Sequence, residues 1–353
     1  MSMADSTGEL QNQKPVTMRE VADLADVSMA TVSRVLNGSN KVDPLLAERV
    51  RAAIVTLKYQ PSRVARTLAG SRSTLLGLLV TDIQNPFFIE LMRGVEEVSQ
   101  EHGYLLVICN TGEDSRKEQQ YIEILAAEQV AGVVIVPTQE RLPWTEQLTL
   151  RHIPLVAVDR RVRDRSIDSV LIDNALAAKE AAAHLIANGY RRIAIITGPR
   201  SATTANERVL GYRQALMEAG IPLDSTLELH GLFNEEAGQR LTHTLLNLDL
   251  PVDAILTANN RLTVGALRTL HAQRKRIPAD IALVGFDEVN WAVPDLVSIT
   301  TVTQPAYELG RTSVTRLLQR LQQPDTPRQE IILQHHLLVR ESSNPRSAVR
   351  SIL

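Results

Sequence analysis

Polar and aromatic side chains follow the short apolar runs of residues 74–341, at the point where each run ends. All four phenylalanines of the chain stand at such ends. Aromatic faces stack on the C–H faces of sugar rings, and every buried hydroxyl needs a hydrogen-bonding partner. These residue types therefore favour a binding site for a polyhydroxylated small molecule. The side chains concerned are Asp82, Phe87, Phe88, Asn110, Asp159, Arg160, Thr197, Phe233, Asn259, Asn260, Phe286 and Asp287.

No enzyme motif accompanies these residues. The sequence lacks the phosphate-binding G-x-x-x-x-G-K-[ST], a G-x-G-x-x-G after the first apolar run, the zinc-binding H-E-x-x-H and the nucleophile motif G-x-S-x-G. The one adjacent histidine pair, His335 and His336, would point to opposite faces of a strand. The sequence therefore predicts no catalytic residue, no metal site and no cofactor.

Seven apolar runs alternate with helical stretches in the same region. Such alternation predicts parallel sheets with helices on both faces, and this number of runs indicates two lobes. In open parallel sheets, ligands bind beyond the carboxyl ends of the strands, which is where the polar and aromatic residues stand. The predicted runs are 75–80, 104–109, 132–136, 155–158, 193–196, 254–256 and 281–284.

The charge of the chain is divided unevenly. Residues 14–72 carry ten Lys and Arg against five acidic residues, a balance of +5, although the whole chain sums to -2. A basic segment in front of an acidic body indicates that this segment meets a polyanion such as nucleic acid. A solvated basic surface without a partner is the alternative that charge alone leaves open.

The segment 16–60 carries the end signals of three short helices. Thr17 with Glu20 forms a capping box, and Ser28 caps a second helix that ends near Gly38. Asp43 then opens a third helix, with proline at its first position. Two short helices joined by a tight turn predict a helix-turn-helix.

One face of the second helix has no reason to be buried. At 100° per residue, Val32 points to the side opposite Ala30, Ser33, Arg34 and Asn37. Small side chains on an exposed helix can approach base edges closely, and an arginine beside them can reach phosphates or guanine. This face is therefore the predicted DNA-reading surface.

The stretch Val-Ser-Met-Ala-Thr-Val-Ser-Arg-Val-Leu-Asn-Gly at 27–38 and the stretch from Tyr59 to Ala69 resemble the LacI/GalR family. The resemblance extends from about Val16 to Glu341. It implies a homodimer that binds pseudo-palindromic operator DNA, with the second helix in the major groove. The residues that it places on half-site bases are Met29 and Ala30, and those on the DNA backbone are Thr17, Thr31 and Asn37.

Residues 62–69 can form about two turns of helix, far below the length at which an isolated helix is stable in water. We therefore expect this segment to become helical only on DNA. The resemblance implies a hinge helix in the minor groove, with Leu68 as a wedge between base pairs and Ser62 and Ala65 beside it. Ser62 departs from the Asn common at this position of the family.

For the remainder, the resemblance implies a periplasmic-binding-protein type I fold whose chain crosses between the lobes near Asp173 and Gln304. It also implies an effector between the lobes. The effector-binding residues that it indicates are Phe87, Phe88, Asp159, Thr204, Arg208, Phe233, Asn259 and Asp287. Asn260 stands where many relatives have Asp.

The expected fold is a small all-α helix-turn-helix headpiece plus an α/β, Rossmann-like, two-lobed domain. The expected layout is a disordered tail (1–15), the DNA-binding domain (16–60), a hinge and linker (61–73), the effector and dimerisation domain (74–341) and a flexible tail (342–353).

The sequence contains a single cysteine, Cys109, and no apolar run near the roughly 20 residues of a membrane helix. We therefore expect a cytoplasmic repressor controlled by a small molecule, most simply a sugar, with no membrane partner. Two alternatives stay open: a solute-binding receptor without DNA function, and a regulator that responds to a nucleoside or purine.

Overall fold

The computed structural model describes residues 16–36, 41–59, 73–289 and 298–344. The chain divides into two compact units, with the boundary between Ser73 and Thr74. No helix within these ranges is both long and apolar enough to cross a membrane. The predicted hinge, residues 62–69, lies outside the described residues.

The N-terminal unit contains the three predicted helices, α1 (Met18–Ala25), α2 (Met29–Leu36) and α3 (Pro44–Leu57). The capping box is confirmed, because Thr17 accepts from the Glu20 N–H while the Glu20 carboxylate accepts from the Thr17 N–H. Asp43 caps α3 by accepting from the Leu45 N–H at 2.9 Å. The small core of this unit is centred on Val21, Val32, Val50 and Tyr59.

The C-terminal unit contains two six-stranded sheets, which define an N-lobe and a C-lobe. The N-lobe sheet has the strands β1 (Leu75–Val80), β2 (Leu105–Asn110), β3 (Gly132–Ile135), β4 (Leu155–Val158), β5 (Asp168–Ile172) and β11 (Glu330–Leu333), in the order β11-β5-β4-β3-β1-β2. The C-lobe sheet has β6 (Ile193–Thr197), β7 (Glu228–His230), β8 (Ala254–Thr257), β9 (Ala282–Phe286), β10 (Thr300–Thr303) and β12 (His336–Leu338), in the order β12-β10-β9-β8-β6-β7. All these pairings are parallel except β10 with β12, so the predicted parallel sheets are confirmed.

Helices cover the sheets, and among the described residues three pairs of helices are packed so closely that a Cβ on a glycine of one helix would clash with the backbone of the other. The helices of this unit are α4 (Pro86–Glu101), α5 (Ser115–Ala127), α6 (Thr145–Leu150), α7 (Asn174–Ala187), α8 (Thr203–Glu218), α9 (Glu235–Leu246), α10 (Asn260–Ala272) and α11 (Ala306–Gln322). A Cβ on Gly94 would lie 2.1 Å from the Tyr307 carbonyl oxygen, and one on Gly310 would lie 2.1 Å from the Leu91 carbonyl oxygen. The backbones of α4 and α11 are therefore in close contact.

Within the described residues, the chain passes between the lobes three times. Two crossings fall where they were expected, between β5 and α7 near Asp173 and between β10 and α11 near Gln304. The third, at 334–335 between β11 and β12, was not predicted, because β11 and β12 are only four and three residues long. His335 in this crossing is buried, and its Nε2 lies 3.0 Å from a Glu180 carboxylate oxygen.

The body continues beyond its expected end at 341. Ser342 and Ser343 are fully buried, and the Ser342 hydroxyl donates to the Leu283 carbonyl at 2.6 Å. The same hydroxyl accepts from the Thr300 N–H at 2.8 Å. The expectation of a flexible tail is therefore wrong for residues 342 and 343, because the Ser342 hydroxyl satisfies backbone groups of β9 and β10 and the Ser343 hydroxyl lies 2.6 Å from that of Thr300.

Candidate functional site

The exposed face of α2 is the first candidate site. Ala30 and Arg34 are exposed and Val32 is fully buried, as the helical spacing predicts. Met29 is 50% exposed, so it is not a core residue. Ser33 is half-buried on the same face.

The remaining predicted DNA contacts divide into two groups. Thr17 is exposed, and its hydroxyl lies 2.9 Å from a Glu20 carboxylate oxygen. The Thr31 hydroxyl lies 3.0 Å from that of Ser28, so both threonines sit at helix N-termini, where phosphate contacts are common. Outside the described residues are Asn37, Ser62, Ala65 and Leu68.

The second candidate site is a cleft of about 470 Å³ between the lobes, at the carboxyl ends of the strands. All eight predicted effector residues line it. The N-lobe contributes Phe87 and Phe88 from α4 and Asp159 after β4, and the C-lobe contributes Thr204 and Arg208 from α8, Phe233 before α9, Asn259 at the cap of α10 and Asp287 after β9.

Asp159 and Asp287 occupy equivalent positions in the two lobes. Each directly follows the third strand from the same end of its sheet, and each adopts a left-handed conformation, with φ of 67° and 63°. The Asp159 N–H donates to the Val170 carbonyl at 3.0 Å, and the Asp287 N–H donates to the Val302 carbonyl at 2.7 Å. Non-glycine residues in this conformation cluster at functional sites. The turn at each strand end thus aims one carboxylate into the cleft.

Burial sets the electrostatics of these carboxylates. Loss of solvent raises the pKa of Asp287 to about 6, although the positive charge of Arg208 and a hydrogen bond from Gln304 oppose the shift. Burial likewise raises the pKa of Asp159, against the opposing charges of Arg160 and Arg208. A ligand that donates hydrogen bonds to these carboxylates would therefore stabilise their charged form.

Arg208 lies in the second turn of α8. Its Nε donates to the Asn174 Oδ1 at 2.9 Å, and its guanidinium also donates to the Ala258 carbonyl. The same group stacks on the Phe286 ring, with Cζ 4.1 Å from the ring centroid. Phe286, the phenylalanine that does not line the cleft, therefore supports Arg208 from below.

The structure adds cleft residues that are not among the eight predicted effector residues. Arg160, noted only as a strand-end residue, donates to both carboxylate oxygens of Glu113 at 2.8 and 2.6 Å. It also reaches across the cleft to within 5.6 Å of the Phe233 ring centroid. Gln304 donates to Asp287 at 3.0 Å, and Asn85 caps α4. Asn85 stands directly before Pro86, a helix-start signal that could have revealed it.

Unsatisfied polar atoms gather in this cleft. Most buried polar groups in proteins have a hydrogen-bond partner. Among the described residues, four buried atoms without one belong to residues that line the cleft: Thr81 Oγ1, Asn110 Oδ1, Arg160 Nε and Gln304 Oε1. These atoms give the walls of the cleft a hydrogen-bonding capacity that the fold itself does not use. Within the described ranges no cluster of three or more His, Cys, Asp or Glu could hold a metal ion.

Comparison with known proteins gives the same division of the chain. Residues 17–62 match the family described as bacterial regulatory proteins, lacI family. Residues 73–341 match the family described as periplasmic binding proteins and sugar binding domain of LacI family.

Individual relatives resemble the chain over nearly its full length. The ribose operon repressor of Halalkalibacterium halodurans is 40% identical over 332 residues, which cover 93% of this chain and 97% of the relative. The solved lac repressor dimer bound to operator and the anti-inducer ONPF has a TM-score of 0.81 at 28% identity and covers 94% of this chain and 100% of its own. A solved transcriptional regulator CelR-cellobiose complex has a TM-score of 0.69 at 34% identity and covers 93% and 99%.

The helix-turn-helix unit, the two-lobed body and these matches agree with one another. The chain therefore belongs to the LacI family of bacterial regulatory proteins, and it is a DNA-binding transcriptional regulator rather than an enzyme.

Proposed function

We propose that this protein is a homodimeric, cytoplasmic repressor whose operator affinity is controlled by ribose, or a closely similar neutral sugar, bound in the interlobe cleft. The observation that carries the proposal is the group of unpartnered polar atoms among aromatic rings in that cleft. Hydroxyls of a sugar both donate and accept, so they can pair with the Asn110 and Gln304 amide oxygens and with the Arg160 guanidinium once these side chains turn toward the ligand.

The charges that line the cleft favour a neutral ligand. Four carboxylates stand against two guanidinium groups, and Arg160 is already paired with Glu113. An anionic ligand such as a sugar phosphate would face this excess of negative charge. The residues with acidic or basic side chains are Asp82, Glu113, Asp159, Arg160, Arg208 and Asp287. The 40% identity to a ribose operon repressor supports a pentose within the neutral class.

The effector is tested by thermal unfolding of the full-length protein with D-ribose, ribose 5-phosphate, cellobiose or adenosine. We expect D-ribose alone to stabilise, by about 2.7 kcal/mol at a concentration one hundred times its dissociation constant. Stabilisation by adenosine without ribose would instead support a nucleoside-responsive regulator. Stabilisation by cellobiose alone would move the effector to the disaccharide class.

Homodimer formation is supported by the edge of the N-lobe sheet. β2 is one of the two edge strands, and three of its apolar side chains, Leu105, Val107 and Ile108, are 37% to 58% exposed. An apolar edge strand invites pairing with another chain unless a partner covers it. A dimer would also present two copies of α2 to the half-sites of a pseudo-palindromic operator.

Replacing Ala30 with Gln should change the base preference of the protein. Ala30 is exposed on α2, so a longer side chain with an amide would meet base edges there. We expect a loss of about 1–3 kcal/mol on the original operator and a different consensus in binding-site selection. The control is Ala52→Gln, at an exposed alanine of α3. An unchanged consensus for Ala30→Gln would rule out this face as the reading surface.

A further inference from the structure

A chain of hydrogen bonds runs from a residue that lines the cleft in the C-lobe to the N-lobe, and its further members do not line the cleft. It starts at Arg208 in the C-lobe, whose Nε donates to the Asn174 Oδ1 at 2.9 Å. The Nδ2 of the same Asn174 amide donates to a Glu207 carboxylate oxygen at 3.1 Å. Asn174 is 2% exposed, so its amide is held between a cation and a carboxylate in one orientation.

Glu207 then joins the two lobes. Its other carboxylate oxygen accepts from the Arg161 Nε at 3.0 Å, and Arg161 follows β4 in the N-lobe. The Arg161 backbone N–H also donates to the hydroxyl of Thr203, at the start of α8, at 3.1 Å. A second guanidinium nitrogen of Arg161 contacts Glu330 of β11, within its own lobe. The side chain of Arg161 is thus held by Glu330 in the N-lobe while it donates to Glu207 of α8 in the C-lobe.

We infer that Glu207 is a positioning residue that couples the orientation of Arg208 to contact between the lobes. Glu207, Asn174 and Arg161 do not line the cleft, so they act on a ligand only through Arg208 and through the spacing of the lobes. Both carboxylate oxygens of Glu207 are used, one toward Asn174 and one toward Arg161. Separation of the lobes would release the Arg161 contact and leave Asn174 and Arg208 less restrained.

Energetic considerations favour a coupling role over a purely stabilising one. The Arg161 and Glu207 side chains are 38% and 24% exposed, and ion pairs this open add little to the stability of a fold. The two side chains belong to different lobes, however, so their ion pair forms only when the lobes are in contact. A ligand that requires this arrangement is favoured by the same contacts, and the coupling is reciprocal.

The test uses the full-length protein with the variants Glu207→Gln and Glu218→Gln. Glu218 is the matched control, because it lies on the same helix and pairs with Lys179 at 2.7 Å, within one lobe. Spin labels at Lys117→Cys and Glu236→Cys, in a Cys109→Ala background, report the distance across the cleft mouth. Both label sites are exposed, at the starts of α5 and α9. Dilution with unlabelled protein restricts the signal to one subunit.

Glu207→Gln should shift the distance distribution to longer values and weaken D-ribose binding roughly tenfold, whereas Glu218→Gln should change neither. Adding Arg161→Gln to Glu207→Gln should cause little further loss, because the two side chains act as a pair. An unchanged distance or an unchanged ribose affinity in Glu207→Gln overturns the inference, as does an equal shift in Glu218→Gln.

The affinity measurement rests on the proposed effector, but the distance measurement needs no ligand. If D-ribose does not bind the wild type, the proposed effector is wrong and the distances alone decide the role of Glu207.

Discussion

Replacing Asp168 with Asn is expected to lower the free energy of unfolding by about 3–5 kcal/mol, because it leaves buried arginines without a counter-charge. The Asp168 side chain is fully buried at the start of β5. It lies 3.0 Å from Arg316 and 2.9 Å from Arg320, both on the buried side of α11. Arg328 approaches the same carboxylate at 3.5 Å from the surface. Asn keeps the shape of the side chain while it removes the charge that these guanidinium groups need.

The pH dependence of this effect follows from the surroundings of the carboxylate. Burial opposes ionisation of Asp168, but hydrogen bonds from the Gln329 N–H, Arg320 and Arg316 outweigh it and hold its pKa below the ordinary value. The unfolded chain, with an ordinary aspartate pKa of about 3.9, therefore takes up this proton first as pH falls. The stabilisation is complete above that pH and declines below it, and Asp168→Asn should lack this part of the acid sensitivity.

Denaturant unfolding of the full-length protein at several pH values checks both statements. The control is Asp280→Asn, which removes a carboxylate paired with Arg276 at 2.7 Å on the surface. The pKa of Asp280 is also held low by hydrogen bonds from Arg276, yet Arg276 is 74% exposed, so solvent screens the pair. Equal losses of unfolding free energy in the two variants would contradict the prediction that the buried arginines need the charge of Asp168.

The composition of the cleft could be predicted because parallel strands bring their carboxyl ends to one edge. Residues as distant in sequence as Phe87 and Asp287 were therefore expected together, and they do line one cleft. The capping residues of the N-terminal unit were predictable for a similar reason, since Thr17 and Glu20 are only three positions apart.

The partners of the buried charges could not be predicted, because nothing in local spacing reveals them. Arg316 meets Asp168 across 148 positions, and Arg161 meets Glu207 across 46. The crossing at 334–335 was missed because β11 and β12 are only four and three residues long, and their side chains alternate between exposed and half-buried.

Replacing Asp287 with Asn should produce a repressor that binds operator normally but no longer responds to ribose. Asn tolerates the left-handed conformation that Asp287 adopts, at φ 63°, so the turn after β9 should be preserved. The substitution removes the charge that sugar hydroxyls would meet in the cleft. Hydrogen bonds to a charged group contribute about 1.5–3 kcal/mol, so ribose affinity should fall roughly tenfold to a hundredfold.

The raised pKa of Asp287, about 6, gives this prediction a pH signature. Hydroxyl donors favour the ionised carboxylate, so the ribose affinity of the wild type should decrease as pH falls below about 6. Without ligand, pH acts on the free energy of unfolding in the opposite direction. The folded pKa lies above the unfolded value of about 3.9, so ionisation of the Asp287 carboxyl destabilises the fold as pH rises through 6. Asp287→Asn should therefore be more stable than the wild type at pH 7 and should lose this advantage near pH 4.

Operator binding titrated against ribose, at pH 7 and pH 5, separates a sensing carboxylate from a structural one. The neighbouring Glu288→Gln is the control, because Glu288 pairs with Arg340 at 2.6 Å and does not line the cleft. This control should release operator at the ribose concentration that releases the wild type, whereas Asp287→Asn should need far more. If Asp287→Asn instead switched like the wild type at both pH values, Asp287 would only close the turn after β9, and the sugar would have to be held by Asp159 and its neighbours in the other lobe.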